Sequence, residues 1–246
     1  MSARHFPRGV PLLCLWLVLA AWPGWAQAQA EASLALVSDY VYRGWSQTDG
    51  TPTLQAELNW GLPGGFYLGF WGSGVDFGGG GAHPARVEAD LAAGLGGGDE
   101  EGLTWDLALL SYQYPASDTD YSYTEGALNL TRGEWGLEAT WSPDQWASGG
   151  EGGYLGLELG HALGELWSVS AGAGCSFWSR PARLALFGAG SPARTLDWKL
   201  GLGRSLWGLD LELGLCGLDA RGSRLAEGLG GTRVVAGISR AFPTGE

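Results

Sequence analysis

Basic residues are scarce in this 246-residue sequence: 14 Lys and Arg stand against 26 Asp and Glu. A nucleic-acid-binding protein needs a basic footprint, so that class is excluded. Charge of either sign is sparse, at 16%. There are only three His and three Cys, which leaves little for metal sites or nucleophile–base pairs. After residue 30, no uninterrupted apolar run reaches the 18 or more residues of a membrane helix. Two things are plentiful. The 14 Trp, 8 Tyr and 7 Phe are more than a disordered chain carries. Glycine, at 44 residues, is far above its usual share of about 7%. It is poor in helix interiors, so a helical bundle is excluded too.

The N-terminus has its own texture. Arg4 and Arg8 open it, Val10–Ala21 is apolar, Pro23-Gly24 breaks the run, and Ala26-Gln27-Ala28 is a small-x-small site. That is the layout of a secretory signal peptide. The apolar run is too short to cross ~30 Å of hydrocarbon as a helix, which argues against an anchor. Residues 1–28 are assigned to the signal peptide, with cleavage after Ala28 or Ala30. Residues 31–246 are assigned to one domain, since no linker divides them. Loss of Arg4 and Arg8 makes the mature chain more acidic still.

Beyond the signal, apolar and polar residues alternate with period two. Leu54, Ala56, Leu58 and Trp60 alternate with Thr53, Gln55, Glu57 and Asn59. Leu209, Leu211, Leu213 and Leu215 alternate with Asp210, Glu212, Gly214 and Cys216. Such alternation marks a strand with one apolar face and one polar face. It recurs in twelve segments: 33–43, 53–61, 65–75, 86–95, 103–113, 121–131, 134–142, 153–161, 166–178, 195–203, 207–217 and 232–242. Leu62-Pro63-Gly64, Arg132-Gly133, Ala162-Leu163-Gly164 and Arg204-Ser205-Leu206 make short connections; the connections between them are long. Trp60, Phe66, Trp105, Trp135, Trp167 and Trp207 share the apolar parity and lie beside short turns. Trp141 and Phe177 lie near the other strand ends. A soluble β-sandwich also alternates, with its apolar face inward, but it has no reason to repeat Trp at strand ends. Short turns, long loops and an aromatic girdle predict an all-β transmembrane antiparallel up-and-down β-barrel of about 12 strands. Its place would be the outer membrane of a Gram-negative bacterium.

In such a barrel the apolar face meets outer-membrane lipid and the polar face meets the lumen. Parity turns ten acids inward: Glu57, Glu88, Asp90, Asp106, Glu125, Glu138, Glu158, Asp197, Asp210 and Glu212. Arg43, Arg86, Lys199 and Arg233 join them. An acid-lined pore favours cations. Two states of the lumen fit: an open pore, in which inward glycines such as Gly94 and Gly174 leave space, and a lumen closed by salt bridges.

Catalysis finds little support. His83 sits in a long loop and His161 beside a short turn, at opposite membrane ends. The nearest catalytic grouping is His83 with Asp76 and Ser73. Asp99-Glu100-Glu101 reads as a solvated turn, since a calcium site needs 6–8 converging oxygens. No metal and no cofactor is called for. Cys175 and Cys216 fall on opposite parities, which disulfide geometry forbids, so two free thiols are expected.

The run Ser38-Asp39-Tyr40-Val41-Tyr42-Arg43-Gly44-Trp45-Ser46-Gln47-Thr48-Asp49-Gly50-Thr51-Pro52 resembles the opening signature of a proteobacterial family. This is the Gcw_chp conserved proteins, also called TorF-type porins. Shorter pieces follow in order: Gly65-Phe66-Tyr67, Trp71-Gly72-Ser73, Tyr114-Pro115, Tyr123-Thr124-Glu125 and Trp141-Ser142-Pro143-Asp144. Trp45 and the Gly78–Gly81 run depart from the pattern. The resemblance implies a signal-bearing outer-membrane porin and supplies no substrate. From the residues themselves, Gly44 permits a bend and Asp49-Gly50 makes a turn. Arg43 is expected to pair with an acid such as Asp39 or Asp76 and to hold this loop over the pore mouth; a role in folding or assembly is the alternative. The expected function is a passive diffusion channel for small solutes, with a preference for cations. The rivals are a closed structural or ligand-binding barrel and, more distantly, an outer-membrane hydrolase.

Overall fold

The structure, a computed structural model, describes residues 29–77, 84–99, 102–226 and 228–244. The assigned signal peptide, His83, Gly78–Gly81, Glu100 and Glu101 lie outside them. Strands in chain order are β1 (Gln29–Val37), β2 (Val41–Tyr42), β3 (Trp45–Ser46), β4 (Thr53–Gly61), β5 (Phe66–Gly74), β6 (Val87–Gly98) and β7 (Thr104–Gln113). They continue as β8 (Tyr123–Arg132), β9 (Trp135–Ser142), β10 (Gly152–Leu163), β11 (Trp167–Trp178), β12 (Arg194–Leu206), β13 (Leu209–Leu218) and β14 (Arg233–Thr244). All but β2 and β3 form one closed antiparallel barrel of twelve strands. Each wall strand pairs with its neighbours along the chain, and β1 closes on β14, with Leu36 opposite Ile238.

The alternation becomes the wall. Leu54, Leu58 and Trp60 of β4 are exposed, whereas Thr53 and Gln55 are buried. Leu211 and Leu213 of β13 are exposed, whereas Glu212 and Cys216 are buried. The same division runs round the barrel, so its outer surface is rich in leucine. Soluble monomers rarely expose contiguous apolar patches above a few hundred Å². A closed sheet leaves no backbone edge unpaired, which is what hydrocarbon demands. Trp60, Phe66, Trp105, Trp135 and Trp167 are exposed beside the short turns, and Trp141 and Phe177 near the loop end. Cys175 and Cys216 are not joined in a disulfide.

Several local expectations are corrected. The expected strand 33–43 leaves the wall after Val37, and its second half builds the separate β2–β3 hairpin. Between β12 and β13 the turn is Trp207-Gly208 rather than Arg204-Ser205-Leu206. Both turn residues have positive φ, +56° and +76°. A two-residue turn of that kind matches the strand twist, so Trp207 is a turn residue and stands 88% exposed. Two long connections contain helices, α1 (Arg180–Phe187) and α2 (Ala220–Leu225).

The interior is also less purely polar than parity suggests. Tyr67, Leu110, Tyr112, Tyr114 and Tyr123 form a buried cluster on the inner side of β5–β8. Gly94 and Gly174 do not leave space; they seat tyrosine rings. A Cβ at Gly94 on β6 would lie 2.3 Å from the ring of Tyr67, which sits opposite it on β5. One at Gly174 would lie 2.0 Å from the Tyr154 hydroxyl.

Candidate functional site

The interior is organised by the hairpin that β1 releases. Ser38 marks the exit: its N–H donates to the Ala236 carbonyl at 2.8 Å, and its hydroxyl accepts from the Ala236 N–H at 2.9 Å. Val41 then pairs with Ser46, and Tyr42 with Trp45. Arg43-Gly44 is the two-residue turn between them, with φ of +48° and +81°, as a type I′ hairpin requires. Gly44 packs against the loop ends of β12 and β13, where a Cβ would lie 2.7 Å from Leu218 of β13 and 2.9 Å from Asp197 of β12.

The turn crosses the lumen. In the ring of twelve strands β9 lies opposite β1, with five strands between them on either side. Arg43 reaches β9, donating to Glu138 at 3.2 Å and to Thr140 at 2.9 Å. It also makes a two-pronged contact with Glu125 of β8, at 2.9 and 3.0 Å. Its guanidinium lies over the rings of Tyr42 and Tyr154, 4.7 and 4.5 Å from their centroids. Glu125 further accepts from Tyr112 at 3.2 Å and Thr140 at 2.8 Å. The expected pairing of Arg43 with Asp39 or Asp76, and the expected loop over the mouth, are therefore corrected. A two-residue turn carries the arginine away from its own strand, and buried acids on the far wall offer it a partner.

Asp39 ties the base of the same hairpin. It accepts from Ser46 at 2.6 Å, from Thr48 at 2.9 Å and from Arg233 at 3.0 Å. Tyr40 rests against Trp71, with ring centroids 5.2 Å apart. Gln47 donates its side-chain N–H to the Trp45 carbonyl, and its backbone N–H to the Tyr40 carbonyl at 2.7 Å. Asp49 and Gly50 turn the chain back, with positive φ at both and Thr51 N–H bonded to the Thr48 carbonyl. Each motif position thus shapes, tethers or aims one inward-folded segment.

The remaining candidates are dispersed around the inner wall. Glu88 accepts from Tyr114 at 2.7 Å, and Asp197 from Tyr154 at 3.1 Å. Lys199 pairs with Glu158. Glu57 accepts from Asn59 and Ser33, Asp106 from Asn129, and Asp210 from Ser205. Glu212 is buried, and Asp90 is partly so. Arg86 differs. It precedes β6, is 61% exposed and pairs with Asp76, so it stands at the rim rather than on the inner wall. His161 contacts Glu134 at the short-turn end, both being exposed. Among the described residues, no cluster of His, Cys, Asp and Glu could hold a metal ion.

A family model described as "Bacterial protein of unknown function (Gcw_chp)" matches residues 26–239. The chain belongs to the Gcw_chp family. No curated protein matches it in sequence. Among solved structures, the KdgM porin is similar at a TM-score of 0.51, with 5% identity over 87% of this chain and 99% of that one. A structure described as "KdgM porin in complex with disordered oligogalacturonate" gives 0.50, with 6% identity over 87% and 99%. The NanC porin gives 0.53, with 7% identity over 89% and 100%. At such identities the likeness is one of fold: this Gcw_chp protein is a porin-like barrel.

Tyr42, Tyr112, Thr140 and Tyr154 complete the site and were missed by a search for charge. A signal was available for three of them. Tyr112 shares its parity with Asp106, Thr140 with Glu138 and Tyr154 with Glu158, so each was due to point inward. Tyr42 had none, because it belongs to the hairpin and not to the wall.

Proposed function

We propose that this Gcw_chp protein is a TorF-type outer-membrane porin of Gram-negative bacteria. It is a passive, cofactor-free channel for small solutes, favours cations and is narrowed by the β2–β3 hairpin. The observation that carries this is the contrast across one closed wall: leucine outside, acids inside. Lipid covers the leucine face, the short turns face the periplasm and the long loops face outward. Glu57, Asp90, Glu158, Asp197 and Asp210 are only partly buried and form the acidic lining, with Lys199 as its inner cation. An oligogalacturonate is a polyanion, so the partner of the similar KdgM barrel would be opposed here. Signal cleavage after Ala28 fits best, because β1 then keeps Gln29 and Ala30, which pair with Gly61 and Trp60.

One observation favours a second reading, a closed barrel: the hairpin touches opposite walls at once. Single-channel conductance of the refolded, signal-free protein in a planar bilayer with a salt gradient decides between them. Discrete steps with a cation-directed reversal potential are expected. Silence from a barrel shown to be folded would overturn the channel in favour of the closed barrel.

A further inference from the structure

We propose that the loop end of the barrel binds one uncharged, single-ring aromatic molecule. All six long connections meet around a cavity of about 200 Å³. Trp45 comes from 38–52, Phe77 from 75–86, Tyr121 from 114–122, Trp146 from 143–151, Phe187 from 179–193 and Leu229 from 219–232. Convergence of every connection on one space places the cavity between the loops, against the β3 side of the hairpin. Solute entering from the loop side meets it first.

Size, shape and polarity select the ligand class. An apolar cavity of about 150 Å³ accepts benzene, and drug-sized ligands need about 300–1,000 Å³. The volume here therefore fits one ring with a small substituent. The lining is preorganised. Trp45 stacks on Phe187 with centroids 5.7 Å apart and meets Trp146 edge-on at 6.4 Å. Phe77 meets Tyr121 edge-on at 5.3 Å. A guest ring would join these contacts at the spacing aromatic pairs prefer.

Among the described residues, no charged side chain lines the space. Three of its polar side chains are engaged already: Ser46 with Asp39, Gln47 with the Trp45 carbonyl and Tyr114 with Glu88. A sugar ring brings several hydroxyls, and each one buried without a partner weakens binding. The carboxylates of Asp39 and Glu88 behind the lining oppose an anion. An uncharged aromatic ring meets neither obstacle.

The test is a ¹⁹F NMR titration of 4-fluorophenol against the refolded barrel in lipid nanodiscs, with empty nanodiscs to subtract partitioning. Saturable binding at one site per barrel is expected, with 2-fluoro-2-deoxyglucose giving none. Leu229→Trp fills the cavity and should weaken binding at least tenfold. Phe187→Ala, in a different connection, removes a stacking face and should do the same, so the test stands if one variant fails to fold. Absence of saturable binding by a folded barrel, unchanged affinity in the folded variants, or stronger binding of the fluoroglucose would each overturn the proposal. Conductance is not the readout, so failure here leaves the channel reading intact.

Discussion

Arg43 and Glu125, 82 residues apart in the chain, meet as a two-pronged ion pair inside the barrel. The arginine is 6% exposed and the carboxylate wholly buried. Removing two charges from water costs several kcal/mol per ion, and only good geometry with every hydrogen bond made repays it. The fork-to-carboxylate contact supplies the geometry, and Tyr112 and Thr140 complete the carboxylate's bonds. Such a pair adds little net stability. What it does is specify where the hairpin tip goes.

Arg43→Ala strands the buried carboxylates of Glu125 and Glu138. Breaking a buried pair on one side costs about 3–5 kcal/mol, so the urea midpoint of the refolded barrel should fall. In the folded fraction the hairpin loses its tether to the far wall, and conductance should rise. Arg43→Lys should fall between, because an ammonium has no planar fork. Lost assembly with unchanged conductance in the surviving barrels would make the hairpin an assembly element instead of a constriction.

Lys199 and Glu158 form the interior pair on the short-turn side of the hairpin. Lys199→Gln removes the cation and should move the reversal potential further toward the cation limit. Glu158→Gln should move it the other way. Both shifts should shrink at high salt, where screening shortens the reach of each charge. Equal reversal potentials in the two variants would remove these residues from the conduction path.

Gly94 holds the ring of Tyr67. Gly94→Val forces that ring to move in a filled interior, where overpacking typically costs about 1–3 kcal/mol. The unfolding midpoint should fall accordingly. Combining Gly94→Val with Tyr67→Ala should recover part of the loss; additive effects of the two changes would refute direct contact as the cause.

Trp207 occupies a left-handed turn position at φ +56°. Asn tolerates that conformation far better than an aromatic residue. Trp207→Asn should therefore raise stability in detergent micelles, and in bilayers the gain should be offset by loss of an interfacial anchor. Measuring the urea midpoint in both media checks that the gain is confined to micelles.

How much of this was legible varied along the chain. The division of β4 into Leu54 and Leu58 outside and Thr53 and Gln55 inside followed from alternation alone. The same held for Cys175 and Cys216 on opposite faces. The hairpin was less legible, because Tyr40 and Tyr42 keep the parity of Leu34 and Leu36, and Arg43 that of Ser33. Its local signals were weak: turn-forming Ser38-Asp39, then a glycine directly after Arg43.

The sequence by itself determined the wall, which residues face outward and which face inward. A strand's side chains alternate wherever it lies, so parity needs no knowledge of neighbours. The tertiary structure alone decided that β1 would stop at Val37, that Arg43 would cross to Glu125 and that Gly94 and Gly174 would seat tyrosine rings. Each of these depends on what closure brings to the far side of the lumen. The distance across a barrel is set by strand number and tilt, and no local stretch of sequence contains it.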